Sequence, residues 1–244
     1  MKVEICVDSP AGAFAAQEGG ASRVELCANL LEGGTTPSAG AIKVARAGLR
    51  IGLQVIIRPR GGDFLYSPEE FEVMKADIVT AKELGADGIV IGCLTAAGDI
   101  DRERTRELIA LGRPMSVTFH RAFDMCRDPR QGLEELIALG ADRVLTSGQE
   151  ASCLEGIELL AALEKQAAGR IIVMPGGGVT PNNARRIATA TGVKEIHLSV
   201  GRTVESQMHH RNPKVFMGGV LRPPEFSWKT TDAEAVRRVV EGLG

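Results

Sequence analysis

Hydrophobic and polar positions along the chain alternate between short apolar runs and longer amphipathic stretches. The apolar runs are rich in Val, Ile and Leu, which is typical of buried β-strands. They span residues 3–7, 23–27, 52–58, 88–92, 115–120, 143–147, 170–174 and 195–199. The amphipathic stretches predict helices near residues 10–18, 38–48, 68–84, 101–111, 129–138, 152–167 and 181–190. Several of these helices begin at a Pro that follows a Ser or Asp cap, as at Ser67-Pro68 and Asp128-Pro129.

The alternation of strand and helix indicates repeated β-α units and a parallel sheet. A closed (β/α)8 barrel of the TIM type and a doubly wound open sheet both contain such units. Eight units in about 200 residues favour the barrel, whose usual size is ~250 residues. We therefore predict an α/β protein with one TIM-type barrel domain over residues 1–244. The barrel is expected to end near residue 202, and residues 203–244 to form a last-loop elaboration and a closing C-terminal helix.

Polar side chains at same-face spacing occur on five of the predicted strands. These pairs are Glu4 and Cys6, Glu25 and Cys27, Gln54 and Arg58, Thr118 and His120, and His197 and Ser199. Ionisable groups are seldom buried without a partner or a function. The pattern therefore predicts a closed sheet with a polar mouth, and the functional sites of this fold lie at the carboxyl ends of its strands.

The composition describes an ordinary globular protein and argues against one class of partner. The chain is 44% hydrophobic and 25% charged, with a net charge of −2 and a pI near 6.1. Because a surplus of Lys and Arg is typical of nucleic-acid binders, we expect no nucleic-acid partner. The first residues lead directly into a strand and no apolar stretch is long enough to cross a bilayer, so we expect a cytoplasmic protein without a membrane partner. The five cysteines show no disulfide spacing and are expected to be reduced.

Two thiols form the first candidate site, because Cys6 and Cys27 end the first two predicted strands. Neighbouring strands lie roughly 4.7–4.9 Å apart, so thiols at the same level can share one soft ion. Paired thiolates favour Cu(I) in a reducing compartment, whereas Zn would need further ligands that the local sequence does not supply. The alternative is that both cysteines are small side chains that fill a layer of the barrel.

The loop after the third strand forms the second candidate site. It contains Arg58, Arg60 and Asp63, and we expect it to face His120, Arg121 and Asp124 across the barrel mouth, with Glu25 in reach of Arg58. Guanidinium groups bind carboxylate or phosphate. His120, with Glu25 or Asp63, is a candidate for acid–base catalysis. An internal ion-pair network that fixes the loops explains each of these residues separately as well.

The loops after the seventh and eighth strands form the third candidate site. The first loop contains Gly176, Gly177 and Gly178. The eighth strand ends with His197 and Ser199, and the loop after it contains Gly201 and Arg202. In this fold such loops commonly bind phosphate through backbone N–H groups, although tight turns explain the glycines nearly as well. The glycine pattern of a dinucleotide-binding fold is absent from an early βα unit, and we predict no organic cofactor.

Several strings of the sequence resemble the CutC family, known as copper homeostasis proteins. They are residues 4–6, 20–27, 33–38, 57–64, 118–124 and 145–148, and the strings RPRGGDF and TFHRAFD are the most specific. The resemblance extends from the first strand to about residue 202. It implies a cytoplasmic TIM-type barrel that self-associates as a dimer or tetramer and takes part in copper handling. It also implies that Cys6 and Cys27 match positions proposed as Cu(I) ligands.

Three functions of different classes remain open at this point. The first is copper homeostasis by Cu(I) binding at Cys6 and Cys27, with Glu4 and Glu25 behind them. The second is an enzyme for a small phosphorylated or carboxylated metabolite, in which Arg58 and Arg202 hold the anion. The third, a scaffold for partner proteins, is hard to reconcile with so many ionisable groups on a concave rim. The family resemblance brings no reaction with it, so the sequence leaves open whether the protein is an enzyme.

Overall fold

The computed structural model describes residues 1–217 and 223–244. Its parallel strands are β1 (Lys2–Val7), β2 (Arg23–Leu26), β3 (Gly52–Ile56), β4 (Gly88–Ile91), β5 (Ser116–Phe119), β6 (Arg143–Thr146), β7 (Ile172–Pro175) and β8 (Glu195–Leu198). The helices are α1 (Pro10–Glu18), α2 (Ala39–Gly48), α3 (Pro68–Glu83), α4 (Arg102–Gly112), α5 (Pro129–Leu139), α6 (Ile157–Ala167), α7 (Ala184–Thr191) and α8 (Ala233–Leu243). Strand and helix alternate along the chain, which confirms the predicted β-α units.

The eight strands form one nearly closed sheet in the order β7-β6-β5-β4-β3-β2-β1-β8. Strand β1 lies between β2 and β8, so the first and last strands of the barrel adjoin. Strands β7 and β8 meet at an isolated parallel bridge between Gly176 and His197. This arrangement confirms the (β/α)8 barrel and excludes the doubly wound open sheet.

The starts of the helices follow from local capping. The Ser67 side chain accepts a hydrogen bond from the Glu70 amide, and the Glu70 side chain accepts one from the Ser67 amide, which makes a complete capping box at α3. Ser9 caps the start of α1 and Asp128 caps the start of α5, and each of them directly precedes a Pro. Helix α6 begins five residues later than predicted because residues 148–156 form turns.

The core lies between the outer face of the barrel and the surrounding helices. In β1 the side chains of Val3, Ile5 and Val7 are buried on the outer face, where apolar helix residues such as Leu108 and Leu160 belong to the same cluster. The alternate positions of β1 point into the barrel, because successive side chains of a strand face opposite sides. The barrel therefore has an apolar outer layer and a partly polar interior, as the strand pattern predicts.

The chain after β8 forms an antiparallel hairpin, β9 (Gly201–Glu205) and β10 (Ser227–Thr231), before α8. The sequence predicted α8 but not the hairpin, and the predicted last-loop elaboration falls partly outside the described residues. Helix α8 packs against α1 and α7, in the place of the eighth barrel helix. None of the described helices is both long and apolar enough to cross a bilayer.

Candidate functional site

The carboxyl ends of the barrel strands surround a cavity of about 320 Å³. Its walls are Cys6, Glu25, Gly33, Ile56, Arg58, Phe64, His120, Arg121, Asp124, Met125, Leu145 and His197. Most of the charged and thiol groups that the sequence analysis singled out are among them. A cavity of this size is large enough for a small metabolite.

Cys6 lies in the wall of this cavity, and the buried Cys27 lies beside it. The strand register pairs Cys6 with Glu25, so Cys27, one residue beyond the end of β2, lies two residues past the position opposite Cys6. Their Sγ atoms are nevertheless 3.6 Å apart. With a carboxylate oxygen of Glu25 they form a cluster whose ligand atoms all lie within 4.8 Å of one another. The chain therefore offers two sulfur ligands and one oxygen at a single point.

Hydrogen bonding between the two thiols separates their pKa values. The bond to Cys27 lowers the pKa of Cys6 to about 5 although burial opposes ionisation, and His197 lowers it further. The same bond and burial raise the pKa of Cys27 well above its usual range. At neutral pH the pair therefore consists of a Cys6 thiolate and a Cys27 thiol, and the thiolate is the form that binds metals.

His197 connects the thiol pair to two buried glutamates. Its Nδ1 lies 2.7 Å from Glu4 Oε1, and its Nε2 lies 3.7 Å from Glu25 Oε2. Burial opposes the charge on His197, but hydrogen bonds with Cys6 and Glu4 raise its pKa well above the usual range. Burial likewise opposes the charge on Glu4, but the hydrogen bond with His197 lowers the pKa of Glu4 to about 2, with the Arg23 charge as a further cause. Glu4 and His197 thus form a buried ion pair beside Cys6.

Glu25 differs from Glu4 in its protonation. Burial raises the pKa of Glu25 well above its usual range, and the charge of Cys6 raises it further. Its carboxyl group therefore keeps its proton to a higher pH than that of Glu4 does, because the two neighbouring glutamates have different partners.

A network of ion pairs fills the barrel below these residues, and the sequence analysis missed it. Arg23 donates hydrogen bonds to both Glu4 and Glu195, and Arg143 Nε lies 2.7 Å from Glu195 Oε2. All of these side chains are buried. A signal was present, because Arg23 and Glu195 each lie two residues before a predicted site residue on the same strand.

Arg58 holds the loop after β2, in which Gly34 lies close to Cys27. Its Nη atoms donate to the carbonyl oxygens of Glu32, Gly34 and Gly62 at 2.7–2.9 Å, and its guanidinium lies over the Phe64 ring. The expected pairing with Glu25 is not made in the described part of the chain, where Glu25 lies near His197 instead. The Nε atom of Arg58 is buried and has no hydrogen-bond partner.

His120 lies in the wall of the cavity, next to Phe64, in a neutral form. Burial lowers the pKa of His120 to about 3, and the charge of Arg58 acts in the same direction. Its Nδ1 accepts a hydrogen bond from the Ala122 amide at 3.1 Å, so the ring proton is on Nε2, which is buried without a partner. His120 is therefore a hydrogen-bond donor at neutral pH rather than a group that gains and loses a proton there.

Arg121 and Asp124 form the rim of the cavity next to the loop after β6. Arg121 Nε lies 2.7 Å from Asp124 Oδ2, and Arg121 Nη2 donates to Ser147 Oγ at 3.0 Å. Asp124 also accepts hydrogen bonds from the Ser147 amide and from Thr146 Oγ1. The Asp124 carboxylate thus joins the loop after β5 to the loop after β6, which is a structural role.

The remaining predicted site residues lie outside the cavity wall. Arg60 pairs with Glu70 and Asp63 on the outer side of the loop after β3. Gly201 and Arg202 belong to the β9–β10 hairpin, and Ser199 is exposed. The loop after β7 approaches the rim, because a Cβ on Gly177 would lie 3.1–3.3 Å from Ser147 and Arg121. Gly176 bridges to His197, and Gly178 lies against Ser152.

Comparison with protein families gives a match between residues 1–202 and the model of the CutC family. The chain belongs to the CutC family. The resemblance carried by the RPRGGDF and TFHRAFD strings is thereby confirmed.

Relatives of known name support this membership over nearly the whole chain. The copper homeostasis protein cutC homologs of Mus musculus and Homo sapiens are each 54% identical over 235 residues, which cover 96% of this chain and 86% of theirs. A CutC family protein of Chromobacterium violaceum is 54% identical over 243 residues, with 99% of this chain and 97% of the relative covered.

Solved structures confirm the fold of this CutC chain. A CutC protein from Streptococcus agalactiae matches with a TM-score of 0.78 and 39% identity, over 81% of this chain and 98% of that one. A phosphoribosylanthranilate isomerase from Pyrococcus furiosus matches with a TM-score of 0.60 and 13% identity, over 100% and 98% of the two chains. The second similarity shows that the barrel architecture is shared and says nothing about the reaction.

Proposed function

We propose that this protein takes part in copper homeostasis in the cytoplasm by binding Cu(I) through Cys6 and Cys27. The observation that carries the proposal is the 3.6 Å separation of the two sulfurs, one of which belongs to a residue in the cavity wall, Cys6. Soft thiolate ligands favour Cu(I) over harder ions. The third group of the cluster is the Glu25 carboxyl, a hard oxygen donor that adds little for Cu(I).

The protonation of the pair supports a pH-dependent affinity. The low pKa of Cys6, about 5, leaves one thiolate ready at neutral pH, whereas Cys27 must lose its proton when the ion binds. Binding is therefore expected to release about one proton for each Cu(I) and to weaken as the pH falls. The names of the mouse and human relatives, which refer to copper homeostasis, support the same function.

A titration of the reduced protein with Cu(I) against a competing chelator tests the proposal. We expect the double variant Cys6→Ala/Cys27→Ala to bind at least about tenfold more weakly than the parent, since both soft ligands are lost. The matched control is Cys126→Ala/Cys153→Ala, which removes two buried thiols that lie outside the metal cluster, and it should bind like the parent. Equal binding by the first double variant and the parent would refute the proposal.

A barrel enzyme for a small phosphorylated or carboxylated metabolite stays a second prediction. The cavity of about 320 Å³ favours a small ligand. Acid–base catalysis by His120 near neutral pH is disfavoured by its pKa of about 3, which leaves Glu25 with its raised pKa as the better candidate for a proton donor. Self-association as a dimer or tetramer also stays a prediction.

A further inference from the structure

The loop after β2, residues 28–35, closes on itself before the chain reaches α2. The Ala28 amide donates to the Thr35 carbonyl oxygen at 2.9 Å, and the Thr35 amide donates to the Ala28 carbonyl oxygen at 2.8 Å. Cys27 directly precedes this loop, one residue beyond the end of β2. Its amide still donates to the Val7 carbonyl oxygen of β1, but the chain beyond it leaves the sheet. Cys27 therefore lies at the junction of the sheet and the loop.

The same loop packs against the Cys27 side chain. A Cβ on Gly34 would lie 3.3 Å from Cys27 Sγ, and the φ of Gly34 is 92°. Leu30 packs against the small apolar cluster that contains Cys27 and Ile56. Because buried side chains are closely packed and have little room to turn, the position of the loop helps to determine where the Cys27 sulfur lies.

Arg58 fastens this loop from a buried position just beyond β3. Its Nη1 donates to the carbonyl oxygens of Glu32 at 2.8 Å and Gly34 at 2.7 Å. Its Nη2 donates to the Gly62 carbonyl oxygen at 2.9 Å, in the loop after β3. The backbones of Arg58 and Thr36 are also bonded, since the Thr36 amide donates to the Arg58 carbonyl oxygen. One guanidinium group thus joins the loop after β2 to the loop after β3.

We propose that Arg58 is a positioning residue of the thiol pair, which holds Cys27 beside Cys6 through Gly34 and the loop after β2. The inference rests on the proposed copper function and assigns a further residue to that site. Arg58 itself is no ligand, because a guanidinium group is cationic and has no acceptor. Groups that orient metal ligands in this way commonly change metal affinity by about 10–100-fold when they are replaced.

Alkylation of Cys27 measures the hold of the loop without any metal. The variant is Arg58→Lys, which keeps the positive charge but cannot place one ammonium group where both Nη atoms lie. The loss of one hydrogen bond favours local opening by about tenfold, so we expect iodoacetamide to modify Cys27 about tenfold faster in the variant. Peptide mass spectrometry follows the reaction in a Cys6→Ala background, where a modified Cys6 cannot obstruct Cys27. The buried Cys153 is the internal control and should react at an unchanged rate.

A titration with Cu(I) against a competing chelator connects the loop with the metal. We expect Arg58→Lys to raise the Kd for Cu(I) at least about tenfold. In a Cys27→Ala background the same substitution should leave the Kd unchanged, because Arg58 acts through that thiol, whereas a general loss of structure would not depend on it. Arg46→Lys is the matched control and should bind like the parent. Arg46 also donates to loop carbonyl oxygens, those of residues 49 and 51, but they precede β3 at the opposite end of the barrel.

Gly34→Ala tests the same contact without changing Arg58 or its charge. The added methyl group meets Cys27 Sγ in a backbone conformation that L-residues rarely adopt, so it displaces the loop. We expect faster alkylation of Cys27 and weaker Cu(I) binding. Gly140→Ala is the matched control, because Gly140 has a similar φ of 82° and a Cβ there meets no described atom within 4 Å. It should resemble the parent in both measurements.

These measurements separate this inference from the copper proposal. If folded Arg58→Lys and Gly34→Ala leave the alkylation of Cys27 unchanged, Arg58 does not hold the thiol in place. The same conclusion follows if Arg58→Lys weakens Cu(I) binding equally with and without Cys27. If the parent binds no Cu(I), the copper proposal fails and this inference fails with it, even where the alkylation rate changes.

Discussion

Glu4 is the residue on which the charges of the barrel interior depend most directly. It is the anionic partner of both Arg23 and His197, and all three side chains are buried. Removing one member of a buried ion pair leaves the other charge without compensation, which costs more than the pair itself contributes. After the hydrogen bond with Cys6, Glu4 is the next contributor to the raised pKa of His197, and His197 in turn adds to the effect of Cys27 in lowering the pKa of Cys6.

Glu4→Gln is expected to lower the free energy of unfolding at pH 7 by about 3–5 kcal/mol. The folded pKa of Glu4, about 2, lies below its ordinary value of 4.5, so its contribution is present above pH 4.5 and is lost as the pH falls toward 2. The raised pKa of His197 means that its charge contributes fully below its ordinary value of 6.5 and is lost as the pH rises through the folded pKa. Urea unfolding at a series of pH values measures both effects.

The control for this variant is Glu134→Gln. Glu134 pairs with Arg170 on the surface, where both side chains are almost half exposed and water screens the pair. We expect a much smaller loss for this variant at pH 7. Equal losses for the two variants, or a loss for Glu4→Gln that persists unchanged at pH 2, would contradict the account of the buried pair.

Single residues of the site differed in how far the sequence could predict them. Cys6, His120 and His197 were identified because a period of two among apolar neighbours marks an inward position on a strand. The partners of Arg58 could not be read in this way. They are backbone carbonyls, two in the loop after β2 and one in the loop after β3, and the course of these loops depends on left-handed residues such as Gly34, with φ of 92°.

At the level of elements, the loop between β6 and α6 fixes one side of the cavity rim. A Cβ on Gly156 would lie 2.0 Å from the Ser147 carbonyl oxygen and 2.8 Å from Gly148 Cα, so two backbone segments meet there without room for a side chain. Asp124 accepts a hydrogen bond from the Ser147 amide at the same place. The position of Arg121 at the rim therefore depends on this close approach.

Gly156→Ala is expected to lower the free energy of unfolding by about 1–3 kcal/mol, because the obstructing atoms belong to the backbone and cannot rotate away. Gly242→Ala is the matched control, since a Cβ there meets nothing within 4 Å and lies in α8. That variant should be neutral or slightly stabilising, because Ala favours helices more than Gly does. Chemical denaturation measures the free energy of unfolding of both variants. An unchanged value for Gly156→Ala would show that the loop shifts to accommodate the methyl group.

Element boundaries were predicted well wherever a local signal exists. Capping residues and strand periodicity placed most ends within one or two positions, as at α1 and α3. The start of α6 was predicted too early because residues 148–156 are held in turns partly by Asp124, which lies far away in the sequence. Non-local contacts of this kind leave no trace in a local pattern.

At the level of the whole molecule, β7 and β8 share fewer paired residues than the other neighbouring strands of the barrel. The other neighbouring strands share ladders of paired residues, whereas this junction has the isolated bridge from Gly176 to His197. The sequence could predict the ring because eight β-α units and polar inward positions are repeated features. It could not predict how strongly each pair of strands is joined.

Amide hydrogen exchange should report this difference. We expect the average protection of residues 172–175 and 195–198 to be lower than that of residues 2–7 and 23–26, because local opening begins where backbone hydrogen bonds are fewest. Exchange followed by NMR in the native state measures it residue by residue. Equal amide protection in β7 and β8 and in β1 and β2 would contradict this expectation. It would show that the barrel opens at another place or only as a whole.

The eighth helix of the ring comes from a part of the chain beyond the family match, which ends at residue 202. A glycine at the C-terminal end of α1 lets α8 approach closely, since a Cβ on Gly19 would lie 2.5 Å from Val236 Cβ. A protein shortened to the matched region would therefore uncover a flank of α1 made of small and apolar side chains, a surface prone to aggregation. The barrel includes a helix that lies beyond the region matched by the family model, and shortened forms should be designed to keep residues 233–243.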